Sequence, residues 1–556
     1  MLKKIRVIVS VVLFILITLY FLDFRGLLSE RLHFLIEIQF IPALLALNIV
    51  ILVSLAALTL IFGRVYCSSI CPMGIYQDIV AWFSKKFTKR KKYTYGKAKT
   101  VLRWSVLAIT VVAFIFGFTF LVGLLDPYGA YGRMVTHLLR PVYLAGNNLL
   151  ETIFTSFDNY TFYKVSLYSF GVFSIVIALI TLVAIGYLAW RNGRTYCNTI
   201  CPVGTTLGFL SKYSLFKIQF VDEHCNMCGL CAMKCKASCI DSKNKRIDYS
   251  RCVTCFNCIE SCHRNAMKYT FVRPAKKKEV DAMPVYTYLK EEKRSSGNSV
   301  SHATSPAYGY VKEEKPVNES KRRFLSASLV TGLAAGNLIA QVASDSLLPG
   351  EMAGVLLSGE TTDGLLPKRK FKRQTPIAPP GVSTFDRLRE KCISCHLCVS
   401  KCPTHIIKPA FLEYGLGGMM QPKLYFDNGF CNYDCTICGE VCPTGAIMPL
   451  TKEEKNHTQM GQVQLIIENC IVYYDETSCG ACSEHCPTQA VRMVPYKGVL
   501  TIPEINPEIC VGCGGCEYVC PAIPYKAIYV GGLQTQNIIE IEHKEVEEIV
   551  IDDFGF

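Results

Sequence analysis

Cys225-Asn-Met-Cys228-Gly-Leu-Cys231-Ala-Met-Lys-Cys235 and Cys252-Val-Thr-Cys255-Phe-Asn-Cys258-Ile-Glu-Ser-Cys262 share one spacing, C-x2-C-x2-C-x3-C, and it decides the fold of the segment that carries them. Three thiolates set two residues apart wrap one face of an iron–sulfur cubane, and the fourth, displaced by one more residue, points to a companion cluster. Cys225, Cys228, Cys231 and Cys262 are thereby assigned to one 4Fe-4S cluster, and Cys252, Cys255, Cys258 and Cys235 to the other. A structural zinc site takes its ligands as two separated pairs and has no use for the third cysteine of each run. Disulfide frameworks scatter their cysteines through loops, whereas these come in tight runs. Lys236 and His263 stand where a proline usually follows the last cysteine, which alters the backbone and removes no ligand.

The same logic extends along the chain, which has 29 cysteines in 556 residues. Four further groups are Cys392, Cys395, Cys398 and Cys402; Cys431, Cys435, Cys438 and Cys442; Cys470, Cys479, Cys482 and Cys486; and Cys510, Cys513, Cys516 and Cys520. Each ends in Cys-Pro, and the middle two depart from regular spacing while keeping four ligands. The expected total is six 4Fe-4S clusters. Adjacent and nested pairings of the fourth cysteines both satisfy the spacing in this half. Cys392-Ile-Ser-Cys395-His396 also matches a c-type haem attachment pattern, but haem would orphan Cys398 and Cys402, so His396 reads as a surface residue near a cluster.

Half of the residues are apolar and 19% are charged, as in a chain that is part membrane and part soluble. Four apolar stretches, 5–22, 38–62, 101–125 and 166–190, are long enough to cross the hydrocarbon as helices. The first lacks a small-residue cleavage site and reads as an anchor. Lys85, Lys86, Lys89, Arg90, Lys91, Lys92, Lys97 and Lys99 face a single acid, Asp78, so the connection between the second and third stretches is expected in the cytoplasm. The loop 126–165 is then outside. The net charge of +14 resides beside the apolar stretches and in linkers, which argues for membrane topology and against nucleic acid.

Two further cysteine pairs form an internal repeat: Cys67-Ser-Ser-Ile-Cys71-Pro72-Met-Gly74 and Cys197-Asn-Thr-Ile-Cys201-Pro202-Val-Gly204, each preceded by a tyrosine and placed just after an apolar stretch. Helical spacing of four puts each pair on one face, suited to a metal, a redox-active dithiol or contact with the neighbouring clusters. The two motifs are expected to meet at the cytoplasmic face. Cys239 reads as a spare thiol. Ser320-Lys321-Arg322-Arg323-Phe324-Leu325-Ser326, followed by an apolar run, has the form of a twin-arginine export signal in mid-chain and would carry a domain already folded around its cofactors.

The expected fold is a multi-domain membrane protein, a four-helix transmembrane unit plus α+β bacterial-type ferredoxin domains. Its divisions are 1–221, the membrane unit with two CxxxCP motifs; 222–273, a cytoplasmic two-cluster domain; 274–319, a flexible charged linker; 320–345, the twin-arginine segment and a fifth span; 346–375, a linker; and 376–556, an exported four-cluster domain.

On these residues the N-terminal half, through about 273, resembles the NapH-type membrane ferredoxins. The C-terminal half, from Pro379-Pro380-Gly381 through Cys520-Pro521, resembles the NapG/MauM family of exported four-cluster ferredoxins. The chain thus looks like a fusion of two proteins that work as a pair. The resemblance implies a quinol dehydrogenase of the inner membrane, drawing electrons from menaquinol or ubiquinol in the quinone pool and passing them to a periplasmic reductase, such as a nitrate reductase, or to a cytochrome c-type acceptor. Quinol needs a proton acceptor and an apolar slot near a helix end, for which the outer loop offers Asp126, Arg133 and His137. The alternative from another class is a maturation or metal-handling factor in which Cys67, Cys71, Cys197 and Cys201 bind or reduce a metal ion for a partner oxidoreductase.

Overall fold

A computed structural model describes residues 1–23, 26, 28–88, 93–165, 171–272 and 368–540. The charged linker, the twin-arginine segment, most of the following linker and the tail beyond 540 lie outside the described residues.

Helices α1 (Leu2–Leu22) and, further along, α8 (Val172–Asn192) each run 21 residues and are long and apolar enough to cross a membrane. At a rise of 1.5 Å per residue each is about 30 Å long, the thickness of a hydrocarbon core. The second and third expected spans are not single helices. The second holds a short helix, Phe40–Leu45, and α2 (Ile49–Phe62). They part where Leu47 takes φ 57° and Asn48 caps α2 by accepting from the Ile51 N–H at 3.2 Å. The third is α4 (Thr100–Ile115) and α5 (Thr119–Leu125), parted at Gly117 with φ +75°. Apolar composition fixes where such a segment is buried, not whether it is straight. Between α2 and α4 lies α3 (Pro72–Phe87), and α6 (Pro127–Met134) and α7 (Arg140–Thr155) precede α8. After α8 comes α9 (Pro202–Leu210).

Ile8, Val12, Val53, Ile109, Ile180 and Val183 are exposed on α1, α2, α4 and α8. The small polar residues Thr59, Thr110 and Thr181 are buried within these helices. Each returns its hydroxyl to a carbonyl one turn back, at 2.7–2.8 Å, so that no donor is left bare.

The two-cluster segment is a small α+β unit. Strand β1 (Phe216–Phe220) pairs antiparallel with β4 (Met267–Phe271), Ile218 opposite Tyr269, and β2 (Ile240–Asp241) pairs with β3 (Arg246–Ile247). The C-terminal domain repeats the plan with three antiparallel ladders: β5 (Ile407–Pro409) with β6 (Pro422–Leu424), β7 (Thr458–Leu465) with β10 (Ile528–Ile538), and β8 (Val491–Pro495) with β9 (Thr501–Ile505). Its core gathers Ile377, Phe426, Val463, Ile528 and Val530.

Helix α1 is clasped at both ends. Near its start Lys3 pairs with Glu260 of the two-cluster segment, which also docks through Arg194 N–H to Lys236 O (3.0 Å) and Leu215 N–H to Leu60 O (2.8 Å). Just past its end, Asp23 accepts from Lys401 of the C-terminal domain at 3.0 Å. Bare glycines permit the second contact: a Cβ on Gly123 would lie 2.5 Å from Ile393 O, and one on Gly132 2.6 Å from Cys395 O.

Candidate functional site

The cysteine runs fold as left-handed and right-handed residues in alternation. Met227 and Gly229 flank Cys228, Thr254 and Phe256 flank Cys255, Ser394 and His396 flank Cys395, and Gly512 and Gly514 flank Cys513, all with φ between 47° and 81°. Such alternation curls the backbone into a concavity whose N–H groups face an anion. The two groups with irregular spacing, at Cys435 and Cys479, show no such flanking pair. More N–H groups aim at the sulfurs: Ala266 to Cys262 Sγ at 3.2 Å, and Ser394 to Cys392, Ile447 to Cys442 and Ala527 to Cys520, each at 3.4 Å.

Cavities collect the thiols in sets. One is lined by Cys225, Cys228, Cys231 and Cys262, and another by Cys235, Cys252, Cys255 and Cys258 together with Cys239. In the C-terminal domain Cys402 joins Cys431, Cys435 and Cys438, and Cys520 joins Cys470, Cys479 and Cys482. The remaining thiols there fall into complementary sets by their mutual electrostatic influence: Cys442 with Cys392, Cys395 and Cys398, and Cys486 with Cys510, Cys513 and Cys516. The fourth cysteines are thus exchanged between adjacent groups, an alternative that spacing alone left open.

Among the described residues no three His, Cys, Asp or Glu side chains converge tightly enough to hold a single metal ion. The donor sets are all sulfur, in cavities walled by residues such as Ile218, Ile240 and Val253. Thiolate-only sets with N–H donors around them suit iron–sulfur clusters. Burial pushes Cys392, Cys431, Cys482 and Cys510 up to about 12, so ionised ligands there require the positive charge of iron.

Cys239, read as a spare thiol, lies beside one of these sets. It is buried, and its Sγ lies 3.5 Å from Cys235 Sγ. Its S–H bond, with backbone N–H help and against burial, draws Cys235 down to about 6.

The CxxxCP cysteines come together inside the N-terminal helical unit. Cys67, Cys71, Cys197 and Cys201 are buried in one core with Tyr66 and Tyr196, close enough to feel one another's charge. Arg64 donates to Cys197 O at 3.2 Å and Arg194 to Cys67 O at 2.6 Å, so each repeat reaches across to the other. Gly-Arg-x-Tyr-Cys occurs at 63–67 and again at 193–197, a signal for these arginines that was present in the repeat.

Beside them Asp78 of α3 accepts from Arg194 Nε (2.8 Å) and Arg6 Nη1 (3.0 Å) and pairs with Lys236 Nζ (3.1 Å). Burial pushes this carboxyl up, and Arg194, Lys236 and Arg6 outweigh it to hold it well below the usual carboxylate range. Asp78 also borders a cavity of ≈ 820 Å³ between α1, α3 and the two-cluster segment, with Val11, Ile79, Trp82 and Phe83 on its walls and Lys85, Lys234 and Lys236 around it. Burial, then the neighbouring Lys236 and Lys234 charges, pull Lys85 down to about 8.

Asp126, Arg133 and His137 do not line that cavity. Asp126 caps α6 by accepting from Gly129 N–H at 2.6 Å. Arg133 donates to Ser394 O (3.0 Å) and Gly123 O (2.9 Å). His137 Nε2 meets His396 Nδ1 at 2.6 Å. His396, expected at the surface, is instead buried, because the surface it faces is the N-terminal helical unit of its own chain. Its Nε2 faces Met420 O at 2.9 Å and so carries the proton, which leaves Nδ1 to accept from His137.

Residues 44–90 and 170–220 match a family model described as a 4Fe-4S binding domain, and 391–446 and 477–523 match one described as a 4Fe-4S dicluster domain. The chain is 28% identical over 159 residues to ferredoxin-type protein NapF of Escherichia coli K12, covering 29% of this chain and 88% of that protein. It is 30% identical over 158 residues to the methylamine utilization ferredoxin-type protein MauM of Methylobacillus flagellatus, covering 26% of this chain and 64% of MauM. Over 245 residues it is 24% identical to the putative electron transport protein YccM of Escherichia coli K12, covering 44% of this chain and 61% of YccM. No solved structure matches significantly. The chain is an iron–sulfur electron transfer protein related to NapF- and MauM-type ferredoxins.

Proposed function

We propose that this protein takes electrons from a membrane quinol beside the two-cluster segment and delivers them, through the four-cluster domain, to a redox partner on the other face of the membrane. The observation that carries the proposal is the double clasp of α1, with Lys3 held by the two-cluster segment and Asp23 by the C-terminal domain, about 30 Å of apolar helix apart. A helix of that length between two cysteine-rich domains matches a bilayer between two aqueous phases.

The residues divide the task. The six thiol sets, with Cys262 and Cys235 exchanged in the first domain and Cys402 with Cys442 and Cys486 with Cys520 exchanged in the second, hold six 4Fe-4S clusters. When bound, such clusters supply one-electron carriers, so the two electrons of a quinol can leave separately. The cavity beside Asp78 offers apolar walls to a quinol ring, and Lys85, drawn down to about 8, is a proton acceptor matched to neutral conditions. The Asp78 cluster keeps Arg6, Arg194 and Lys236 fixed behind it. The lysine-rich 85–99 flank supports a cytoplasmic place for the two-cluster segment, and the twin-arginine segment offers the C-terminal domain a route outward as a folded unit. The partner is then a periplasmic reductase, of which a nitrate reductase is one example, or a cytochrome c-type acceptor.

The test is anaerobic purification, iron and sulfide analysis, and addition of a menaquinol analogue under a favourable potential. Reduction of the clusters, blocked by Trp82→Ala with Phe83→Ala, supports the proposal. Clusters that stay oxidised refute direct quinol oxidation.

A further inference from the structure

The thiol sets of the C-terminal domain form a file with an inner and an outer end. The set of Cys392, Cys395, Cys398 and Cys442 lies against the N-terminal helical unit, where Arg133 donates to Ser394 O at 3.0 Å and His137 meets His396 at 2.6 Å. Its neighbour is the set of Cys431, Cys435 and Cys438, which takes Cys402 in exchange for Cys442. That second set is joined to the third, Cys486, Cys510, Cys513 and Cys516, by the Cys431 N–H, which donates to Cys513 O at 2.9 Å. The third gives Cys520 to the last set, with Cys470, Cys479 and Cys482, in exchange for Cys486. Electron tunnelling decays exponentially with distance, so a partner must approach the set that the rest of the chain leaves at the outside.

A basic strip borders that outer set. Lys368-Arg-Lys-Phe-Lys-Arg373 places five cations in six residues. Expected as the end of a linker, it is instead laid along the last set. The Arg369 N–H donates to Asn469 Oδ1 at 2.7 Å, Asn469 Nδ2 returns to Arg369 O at 2.8 Å, and Asn469 directly precedes Cys470. Lys368 Nζ donates to Ile523 O at 2.9 Å and lies over the Tyr474 ring. Phe371 stacks on Tyr529 at 4.4 Å, and Arg373 pairs with Glu517 at 2.7 Å. These anchors leave the side chains of Arg369, Lys370 and Lys372 exposed. A strip that merely balanced the charge of its own cluster would turn its cations inward. Of the acids in the neighbouring loops, Glu517 is paired with Arg373 and Glu476 with Lys497, so Asp475 and Glu484 stand against four cations, Lys368, Arg369, Lys370 and Lys372. Ile523, just past Cys520, is 77% exposed, and Val499, beside the Leu500 that packs toward Cys470, is 98% exposed. Single exposed apolar residues are ordinary, but these adjoin a redox centre with a positive border.

We infer that electrons leave this protein from the set of Cys470, Cys479, Cys482 and Cys520, and that Arg369, Lys370 and Lys372 with Ile523 form the docking surface for a one-electron carrier with an acidic face. Complementary charge steers such encounters and weakens with salt. One electron passes from the reduced centre of this set to the oxidised centre of the partner, with no bond made or broken and no proton required. The inference rests on the proposed relay and names its exit.

The full chain is purified anaerobically and reduced with dithionite, so the result does not depend on quinol oxidation. Stopped-flow mixing follows its oxidation by two haem proteins, the acidic soluble domain of cytochrome b5 and the basic cytochrome c. Arg369→Gln with Lys370→Gln and Lys372→Gln is expected to slow the acidic probe about tenfold at low salt, with the difference fading at high salt, and not to slow the basic probe. Arg369→Lys with Lys370→Arg and Lys372→Arg keeps the charge and should keep the rate. Trioxalatochromate(III), a paramagnetic trianion, should hasten relaxation of the signal that Cys479→Ser alters, and do so less in the glutamine variant. Equal rates for the acidic probe in wild type and glutamine variant overturn the inference, as does equal slowing of both probes. So does a relaxation effect strongest on a signal that Cys479→Ser leaves unchanged. Faster reaction with the acidic probe after removal of residues 541–556 would give the strip to the chain's own acidic tail, and self-association abolished in the glutamine variant would give it to a second copy; either overturns the inference. Where Cys479→Ser fails to fold, the two charge variants decide. Clusters that quinol cannot reduce would defeat the quinol site and leave this inference standing, and failure of the charge variants would do the reverse.

Discussion

Replacing Asp78 by asparagine preserves shape and removes one charge from a cluster that ties four chain segments together. The carboxylate, 12% exposed, holds Arg194 of the second repeat at 2.8 Å, Arg6 of α1 at 3.0 Å and Lys236 of the two-cluster segment at 3.1 Å. Removing one partner of a buried ion pair costs about 3–5 kcal/mol, since the remaining charge stays buried. Slight exposure argues for the lower end, about 3 kcal/mol, even though three cations are left. A large protein loaded with clusters unfolds irreversibly, so the observable is a rate. At 1.36 kcal/mol per decade, ~3 kcal/mol lost before the transition state is a roughly hundredfold faster unfolding. The assay is bleaching of the visible thiolate-to-iron absorption at fixed temperature in detergent. The folded carboxyl lies below its unfolded value, so its contribution is full above about pH 4 and is lost as pH falls further; the Asp78→Asn variant should lack that acid limb. A rate change under about threefold would show that the cluster behaves as an exposed pair and refute the argument.

Lys85→Met should slow quinol oxidation by roughly a hundredfold and flatten a rate that, in wild type, rises through about pH 8 as the amine becomes neutral; a steady-state pH profile checks it. Burial holds His396 well below its ordinary value, and burial, then Arg133, bring His137 to about 3, so the junction they form is firm above pH 6.5 and weakens as pH falls. The first proton taken up should cost roughly 2 kcal/mol between pH 6.5 and 5; hydrogen exchange around 393–398 should report it, and His396→Phe should weaken the dependence, leaving the part carried by His137, which burial and Arg133 hold low. Cys402→Ser should alter the spectrum of the cluster on Cys431, Cys435 and Cys438 and leave that on Cys392, Cys395 and Cys398 intact; the converse result would reverse the exchange of fourth ligands.

Iron–sulfur chemistry was legible because ligand spacing is local: three thiols two residues apart face one point whatever surrounds them. The apolar stretches were equally visible, but their breaks were not, since a helix interrupted at Gly117 or recapped at Asn48 has the same composition as a straight one. The CxxxCP repeat was plain, while its arginines were passed over because their task appears only when two halves of the chain meet. The same holds for Asp78, an isolated acid in a basic loop by sequence and the hub of three cations in space. His396 was misjudged because burial against a distant segment leaves no mark on neighbouring residues.

The most direct test of the account uses sealed vesicles of one orientation and a membrane-impermeant paramagnetic lanthanide chelate, with the clusters reduced and their relaxation recorded. Chelate on one side should hasten relaxation of the four-cluster domain's signals only, and chelate on the other side those of the two-cluster segment only. If chelate on a single side reaches both sets, the two domains share a face of the membrane and the account is contradicted.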